Sequence, residues 1–272
     1  MSRNKALIER WNVHQRLQHV LLLISVSGLV LTGFPIKYYT QSWAKTATLM
    51  VGGFERLFGI HLSMAVLLFL TSGYHLLYLL AYWRKVGPSW AMVPGWRDLR
   101  DGWHHALHLV GIRRRPPHFG RYTYLEKFEY LAVVWGMVFM GGSGLILWFP
   151  VKAAALLPAW GLETVRVIHS NEAFIAMLAL AFGHFFSVHF HPAVFPNNEV
   201  WLTGRISLAR LAEEHPAELE HLVAAGKISA AEAEAATSHH EPHRPFLLWL
   251  ELAAYAGVFV WLLITFVPML FA

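Results

Sequence analysis

Between Val165 and Pro192 the chain reads VRVIHSNEAFIAMLALAFGHFFSVHFHP, apolar enough to cross a bilayer yet carrying His169, His184, His189 and His191. Ionisable groups in a membrane helix are costly and usually face the bundle interior for a functional reason. A neutral imidazole is also the commonest metal ligand among side chains. His169 and His184 are 15 residues apart, about 22 Å along a helix, which separates the two leaflets rather than neighbouring turns. A second apolar stretch, FGIHLSMAVLLFLTSGYHLLYLL, holds His61 and His75 at a spacing of 14, about 21 Å of rise and nearly on one face. His19, in QRLQH, opens a further apolar run.

These histidines need membrane helices to position them, and the composition supplies them. Of 272 residues, 56% are hydrophobic and 14% charged, with a mean hydropathy of +0.42. Such values indicate a polytopic membrane protein. Five apolar segments are long enough to span, at about residues 18–36, 58–83, 128–149, 167–190 and 246–271. No A-x-A-like site follows the first, so it reads as a retained helix. Many of the 12 Trp and nine Tyr sit at the ends of apolar runs, as interface anchors do. The N-terminus and the second and fourth connections hold 17 Lys and Arg against five in the first and third. The positive-inside rule therefore predicts a cytoplasmic N-terminus and a periplasmic C-terminus. The same rule accounts for the net charge of +5 without any nucleic-acid partner.

With that topology the histidines fall on two levels. His61 and His169 are outer; His19, His75 and His184 are inner, with His189 and His191 just beyond. Cysteine is absent, which removes disulfides, cysteine-ligated clusters and covalent haem attachment. Paired neutral imidazoles from facing helices can hold b-type haem, one per level and about 20 Å apart. A single intramembrane histidine is as easily a hydrogen-bonded packing residue; five at two matched depths favour ligation. Gly28, Gly33, Gly73, Gly136, Gly141, Gly142, Gly144 and Gly183 thin the helices, as a macrocycle needs and as plain helix packing also does. Arg10, Arg16, Arg56 and Arg84 suit haem propionates or simply mark topology.

The connections read differently. PGWRDLRDGWHHALHLVGI places Trp96, Leu99, Trp103 and Leu107 about a turn apart, a pattern for an amphipathic helix on the cytoplasmic interface. Residues 204–245 include an Ala/Glu-rich run, read as short solvated helices serving as a cytoplasmic spacer before a fifth membrane helix at 246–272. His104, His105, His108, His118, His215, His221, His239, His240 and His243 read as solvated loop residues, with HHEPH a weak metal-site candidate.

Four stretches together, ERWNVHQRLQHVLLLISVSGLVLTGFP, ERLFGIHLSMA, FGRYTYLEKFEYLAVVWG and VIHSNEAF…GHFF, resemble the cytochrome b (gamma) subunit of membrane-bound formate dehydrogenases and the related dihaem cytochromes b of nickel–iron hydrogenases and thiosulfate reductases. The resemblance runs from about Arg10 to Phe190. It implies an all-α four-helix haem-binding bundle over residues 1–203, with His19 and His184 holding the inner haem and His61 and His169 the outer. It also implies a quinone site beside the loop before the third span, here Gly120, Arg121 and Tyr122, leading to Lys127. Three features depart from the pattern: the spacing of His169 and His184, 15 residues and not 14, which invites a local bulge or a turned ligand; the additional His75, which by spacing alone pairs simply with His184; and the chain beyond the fourth span.

The expected protein is a bacterial inner-membrane, multi-pass electron-transfer subunit of an oxidoreductase. It passes electrons between a periplasmic-side partner, an iron–sulfur protein or multihaem cytochrome c, and menaquinone or ubiquinone, through two or more b haems. A histidine-relay transporter, a non-redox membrane anchor and a self-contained reductase are the alternatives.

Overall fold

The computed structural model describes residues 7–190, 194 and 197–238. The fifth apolar segment, His191 and HHEPH (239–243) lie outside these residues. Four helices are long and apolar enough to cross a membrane: α1 (Val13–Lys37), α3 (Phe54–Val86), α5 (Tyr124–Trp148) and the fourth span, Gly161–His189. Short helices α2 (Ser42–Met50) and α6 (Pro150–Ala154) join them at one end.

Each span begins earlier than its apolar run. Asn12 and Gln15 form a reciprocal capping box that starts α1 at Val13, and Thr123 with Glu126 does the same for α5. These polar residues satisfy orphan N–H groups and so recruit an extra turn of polar sequence into the helix. At its far end α3 stops at Gly87, whose φ of 94° belongs to the left-handed region glycine tolerates.

The spans pack as two close pairs, α1 with α3 and α5 with the fourth, and the pairs meet each other sparsely. Outward faces carry exposed apolar side chains such as Leu31, Leu70 and Val138, as lipid contact requires. Few described residues inside the spans are buried, and they are mostly small or polar: Gln18, Ser25, Thr32, Thr71, Gly141 and Gly161, with Pro35 and Leu57. Between α3 and α5, α4 (Trp96–Leu109) keeps Trp96, Leu99 and Trp103 exposed and Leu107 half-buried, the amphipathic pattern expected of an interfacial helix.

The fourth span is not one regular helix. It runs as α7 (Gly161–Leu178), a π-helical turn (Ala179–His184) and α8 (Phe185–His189). A 15-residue spacing overshoots four α turns by about 60°; a π turn absorbs one residue and brings His169 and His184 back toward one face. The bulge anticipated from the spacing is therefore present.

Residues beyond the bundle correct the expectation of a solvated spacer. Two strands, β1 (Leu7–Glu9) and β2 (Arg205–Ser207), pair antiparallel with Ile8 opposite Ile206, so the fold is helical but not purely α. After α9 (Val200–Thr203) and β2, helices α10 (Leu208–Glu214), α11 (Pro216–Ala224) and α12 (Ala230–Thr237) enclose Val200, Ile206, Leu208, Leu211, Leu219 and Ala236, with Ile8 and Trp11 against them. The Gly204 carbonyl accepts from Arg10 and Trp11 N–H at 2.8 and 3.1 Å. Gly204 has φ 75°, and a Cβ there would collide with the Trp11 carbonyl. Apolar residues hidden among Ala and Glu thus build a cap that locks onto the chain's first turn, across the boundary set at residue 203.

His215 is a second correction: it is 3% exposed, not solvated. Its Nδ1–H donates to the Gly120 carbonyl at 2.7 Å, and its Nε2 accepts from Arg10 Nη2 at 3.0 Å. Burial, then the Arg10 charge, pulls its pKa below the ordinary histidine value, against the opposing carboxylates of Glu126 and Glu218. The docked cap therefore binds fewer protons than the released one, and docking is fully supported only above the free-histidine value of about 6.5. Lowering the pH through and below that value weakens it; amide exchange of the β1 and β2 strands should accelerate on acidification in wild type and lose this dependence in His215→Asn.

Candidate functional site

Thr32, on α1, donates its hydroxyl proton to the Gly28 carbonyl at 2.6 Å and stands 2.9 Å from Nδ1 of His61 on α3. Ser143, on α5, donates to the Phe139 carbonyl at 2.6 Å and stands 2.9 Å from Nδ1 of His169 on α7. A hydroxyl has one proton; with that proton spent on a carbonyl, it accepts from the imidazole. Both rings are thereby held as the Nδ1–H tautomer, with the Nε2 lone pair free. His184 reaches the same state through Glu129, whose Oε2 lies 2.9 Å from Nδ1.

Each of these hydrogen bonds lies within a tight helix pair, whereas the histidines set against one another belong to different pairs: His61 to α3 and His169 to the fourth span, His19 to α1 and His184 to the fourth span. His61 and His169 are near enough to interact electrostatically. His19 and His184 have ring centroids 6.2 Å apart, inclined by 50°. A metal held between two imidazoles by bonds of about 2 Å each would leave their ring centroids about 6 Å apart. Trp11 and Trp201 flank His19 at 5.4 and 5.7 Å. Its Nδ1 is buried with no hydrogen-bond partner, an unusual condition for a structural histidine.

Glycines complete the outer seats. A Cβ at Gly33 would lie 3.2 Å from the His61 ring, and one at Gly144 would lie 3.3 Å from the His169 ring. Gly28 and Gly141 instead admit Met64 and Phe69, and no side chain approaches Gly73, Gly136, Gly142 or Gly183. The expected glycine role thus divides into two imidazole seats, two packing contacts and four open positions.

His75 stands apart. Its Nδ1 is 2.8 Å from Gln18 Oε1 and its Nε2 3.0 Å from the Tyr130 hydroxyl. With both nitrogens engaged it braces α1, α3 and α5 at the inner level. Arg10 and Arg16, weighed above for haem propionates, serve the cap: Arg16 donates to the Leu202 carbonyl at 2.8 Å, although its Nε is buried without a partner.

The loop before α5 lies under the cap. The Gly120 carbonyl takes the His215 proton, and Arg121 pairs with Glu218 at 2.9 Å and donates to the Arg10 carbonyl at 3.0 Å. The Arg121 carbonyl in turn accepts from Arg10. Both guanidiniums approach the Tyr122 ring, at 5.9 and 5.6 Å. A polar cavity of about 150 Å³ opens beside Gly120, Arg121 and Tyr122, edged by Asp98 and Lys127. Beyond Asp98 an apolar cleft of about 480 Å³ runs between α4 and α5, past Leu99, Trp103 and Phe128. Burial raises the Asp98 pKa, but the hydrogen bond and charge of Lys127 and the Gly95 N–H outweigh it and hold the carboxyl below its usual range.

Sequence reading missed Thr32, Ser143 and Glu129. Glu129 had a signal, an acid at the very start of an apolar run; each hydroxyl's only signal is a place immediately before a glycine.

Four helices long and apolar enough to cross a membrane, with His19 set against His184 between the two helix pairs, define a multi-pass membrane protein. A profile of the family described as prokaryotic cytochrome b561 matches residues 10–201, and the chain belongs to that family. No curated protein matches it. Membership agrees with the resemblance to hydrogenase and formate dehydrogenase cytochrome b subunits and implies b-type haem and a membrane electron-transfer role. The residues fit that group. Paired neutral imidazoles between helices are the ligand set that a b-type haem would take. Gly33→Val and Gly144→Val should each displace one ring and lower bound haem by half with helix content unchanged in circular dichroism, whereas Gly73→Ala should retain it.

Proposed function

We propose that this chain is the dihaem cytochrome b subunit of a respiratory complex in the bacterial inner membrane, passing electrons between a periplasmic-side redox subunit and the quinone pool. The observation that carries this reading is the tautomer control at His61, His169 and His184, which leaves Nε2 lone pairs facing the seam at two depths. In this reading His61 with His169 hold the outer haem and His19 with His184 the inner. Each bound haem supplies a one-electron iron centre whose potential answers to ligand hydrogen bonding and burial.

The chain's own residues do the rest. Thr32, Ser143 and Glu129 hold ring orientation and tautomer, as partners of metal-bound imidazoles do. His75, fully hydrogen-bonded, is a brace and not a ligand. The apolar helix faces exclude water from the seam. By charge asymmetry the N-terminus and the cap are cytoplasmic, which places the His19–His184 level on that side. There the polar cavity at Gly120, Arg121 and Tyr122 accepts a quinone head, menaquinone or ubiquinone, and the adjoining apolar cleft accepts its tail. Lys127, paired with Asp98, supplies a cation at the cavity edge. The partner, an iron–sulfur or multihaem c subunit, docks at the opposite end beside the outer pair. A histidine relay calls for rings strung along a single water path, and facing pairs at two depths do not support it.

Haem stoichiometry and reduced-minus-oxidised spectra test this directly. Wild type and His75→Ala should each bind two b haems per chain, whereas His61→Ala, His169→Ala and His184→Ala should each retain one. A wild type without b-type bands would overturn the dihaem reading, and His61→Ala with both haems would overturn His61 as a ligand.

A further inference from the structure

The second partners of the three controlled imidazoles differ in kind between the two levels. At the outer level both are neutral hydroxyls, Thr32 and Ser143, each already donating to a backbone carbonyl. At the inner level the partner of His184 is a carboxyl group. Glu129 Oε2 lies 2.9 Å from Nδ1, and its Oε1 lies 3.3 Å from the Ser187 hydroxyl. Among the described residues no lysine or arginine pairs with Glu129. His19, opposite, has no partner on Nδ1. A carboxylate without a cation inside a membrane helix is expensive unless a positive charge forms beside it.

We propose that Glu129 is a positioning residue that sets the inner haem's potential apart from the outer one by stabilising its oxidised state through His184. The inference rests on the dihaem reading above. A ferric iron between two neutral imidazoles in a dianionic porphyrin carries one net positive charge; one electron removes it, and the Nδ1 proton stays on His184. A carboxylate hydrogen-bonded to that proton increases the donor strength of the ring and favours the charged, ferric form. Neutral hydroxyls, with their own protons turned away, favour it less. The asymmetry therefore lies in α5, which contributes Glu129 near its first turns and Ser143 near its last.

The test is an anaerobic optical redox titration of the purified full-length protein, wild type and Glu129→Gln. The glutamine keeps a hydrogen-bond acceptor and loses the charge. The expected result is two haems with unchanged bis-imidazole spectra, one midpoint raised by at least a tenfold change in the oxidised-to-reduced ratio, about 59 mV for one electron, and the other unmoved. Ser143→Ala should leave that midpoint in place, and Glu129→Asp should restore it toward wild type. Superimposable wild-type and Glu129→Gln titrations, or equal shifts of both midpoints, overturn the proposal while the dihaem reading stands. Absence of b-type haem in wild type overturns both. Electron paramagnetic resonance of the wild-type ferric protein needs no folded Glu129 variant. Its two low-spin signals should differ, with the one lost in His184→Ala being the more imidazolate-like; indistinguishable signals contradict the assignment.

Discussion

An imidazole can bind a metal only through a nitrogen whose lone pair is free, and in this bundle partners on Nδ1 leave Nε2 in that condition at His61, His169 and His184. Thr32 and Ser143 are hydroxyls bound to the carbonyl four residues earlier in their own helices. In a hydrocarbon medium such a hydroxyl has no water to turn toward, so its proton stays on the carbonyl and its lone pairs face outward. His61 and His169 then donate from Nδ1. Glu129 acts likewise on His184 with a group that, as a carboxylate, has no proton to offer. The direction of three hydrogen bonds thereby determines which edge of each ring faces the interior.

The helix arrangement follows from the same division. Contacts that control the rings lie within the close pairs, α1 with α3 and α5 with the fourth span, while His19 meets His184 across the seam between pairs. A rigid pair can thus orient its histidines before the other pair is in place. The glycines beside His61 and His169 let those rings lie against a helix backbone. His75 shows the contrast: an imidazole of similar depth that is satisfied on both nitrogens simply ties three helices together.

Much of this was legible from residue types and spacing. Length and hydropathy located the four described spans, and the depth of each histidine followed from 1.5 Å per residue. Helix starts were misplaced by four to six residues because Asn12 and Thr123 cap polar turns that hydropathy does not register. The 15-residue spacing foretold a bulge, and the π turn supplies it. The cap escaped notice for a different reason. Ile206, Leu208, Leu211 and Leu219 are dispersed over a strand and two short helices, so no single amphipathic period emerges, and β1 is nearly two hundred residues away in sequence. His215 was read as a surface residue because nothing local announces Arg10 or the Gly120 carbonyl. The hydroxyl partners were hidden by their ordinariness, since serine and threonine are common in membrane helices without any such task.

The pairing of Ile8 with Ile206 also dictates an order of assembly. A chain made from its N-terminus exposes β1 long before β2 exists, and all four described spans must be synthesised in between. Throughout that interval the strand's backbone groups and Trp11 lack their eventual neighbours. Closing such a long loop comes late, because its entropy cost must be met before any contact repays it. Pairing of β1 with β2 therefore cannot precede synthesis of the four described spans, and the cap's hold on the chain near Arg10 waits for them.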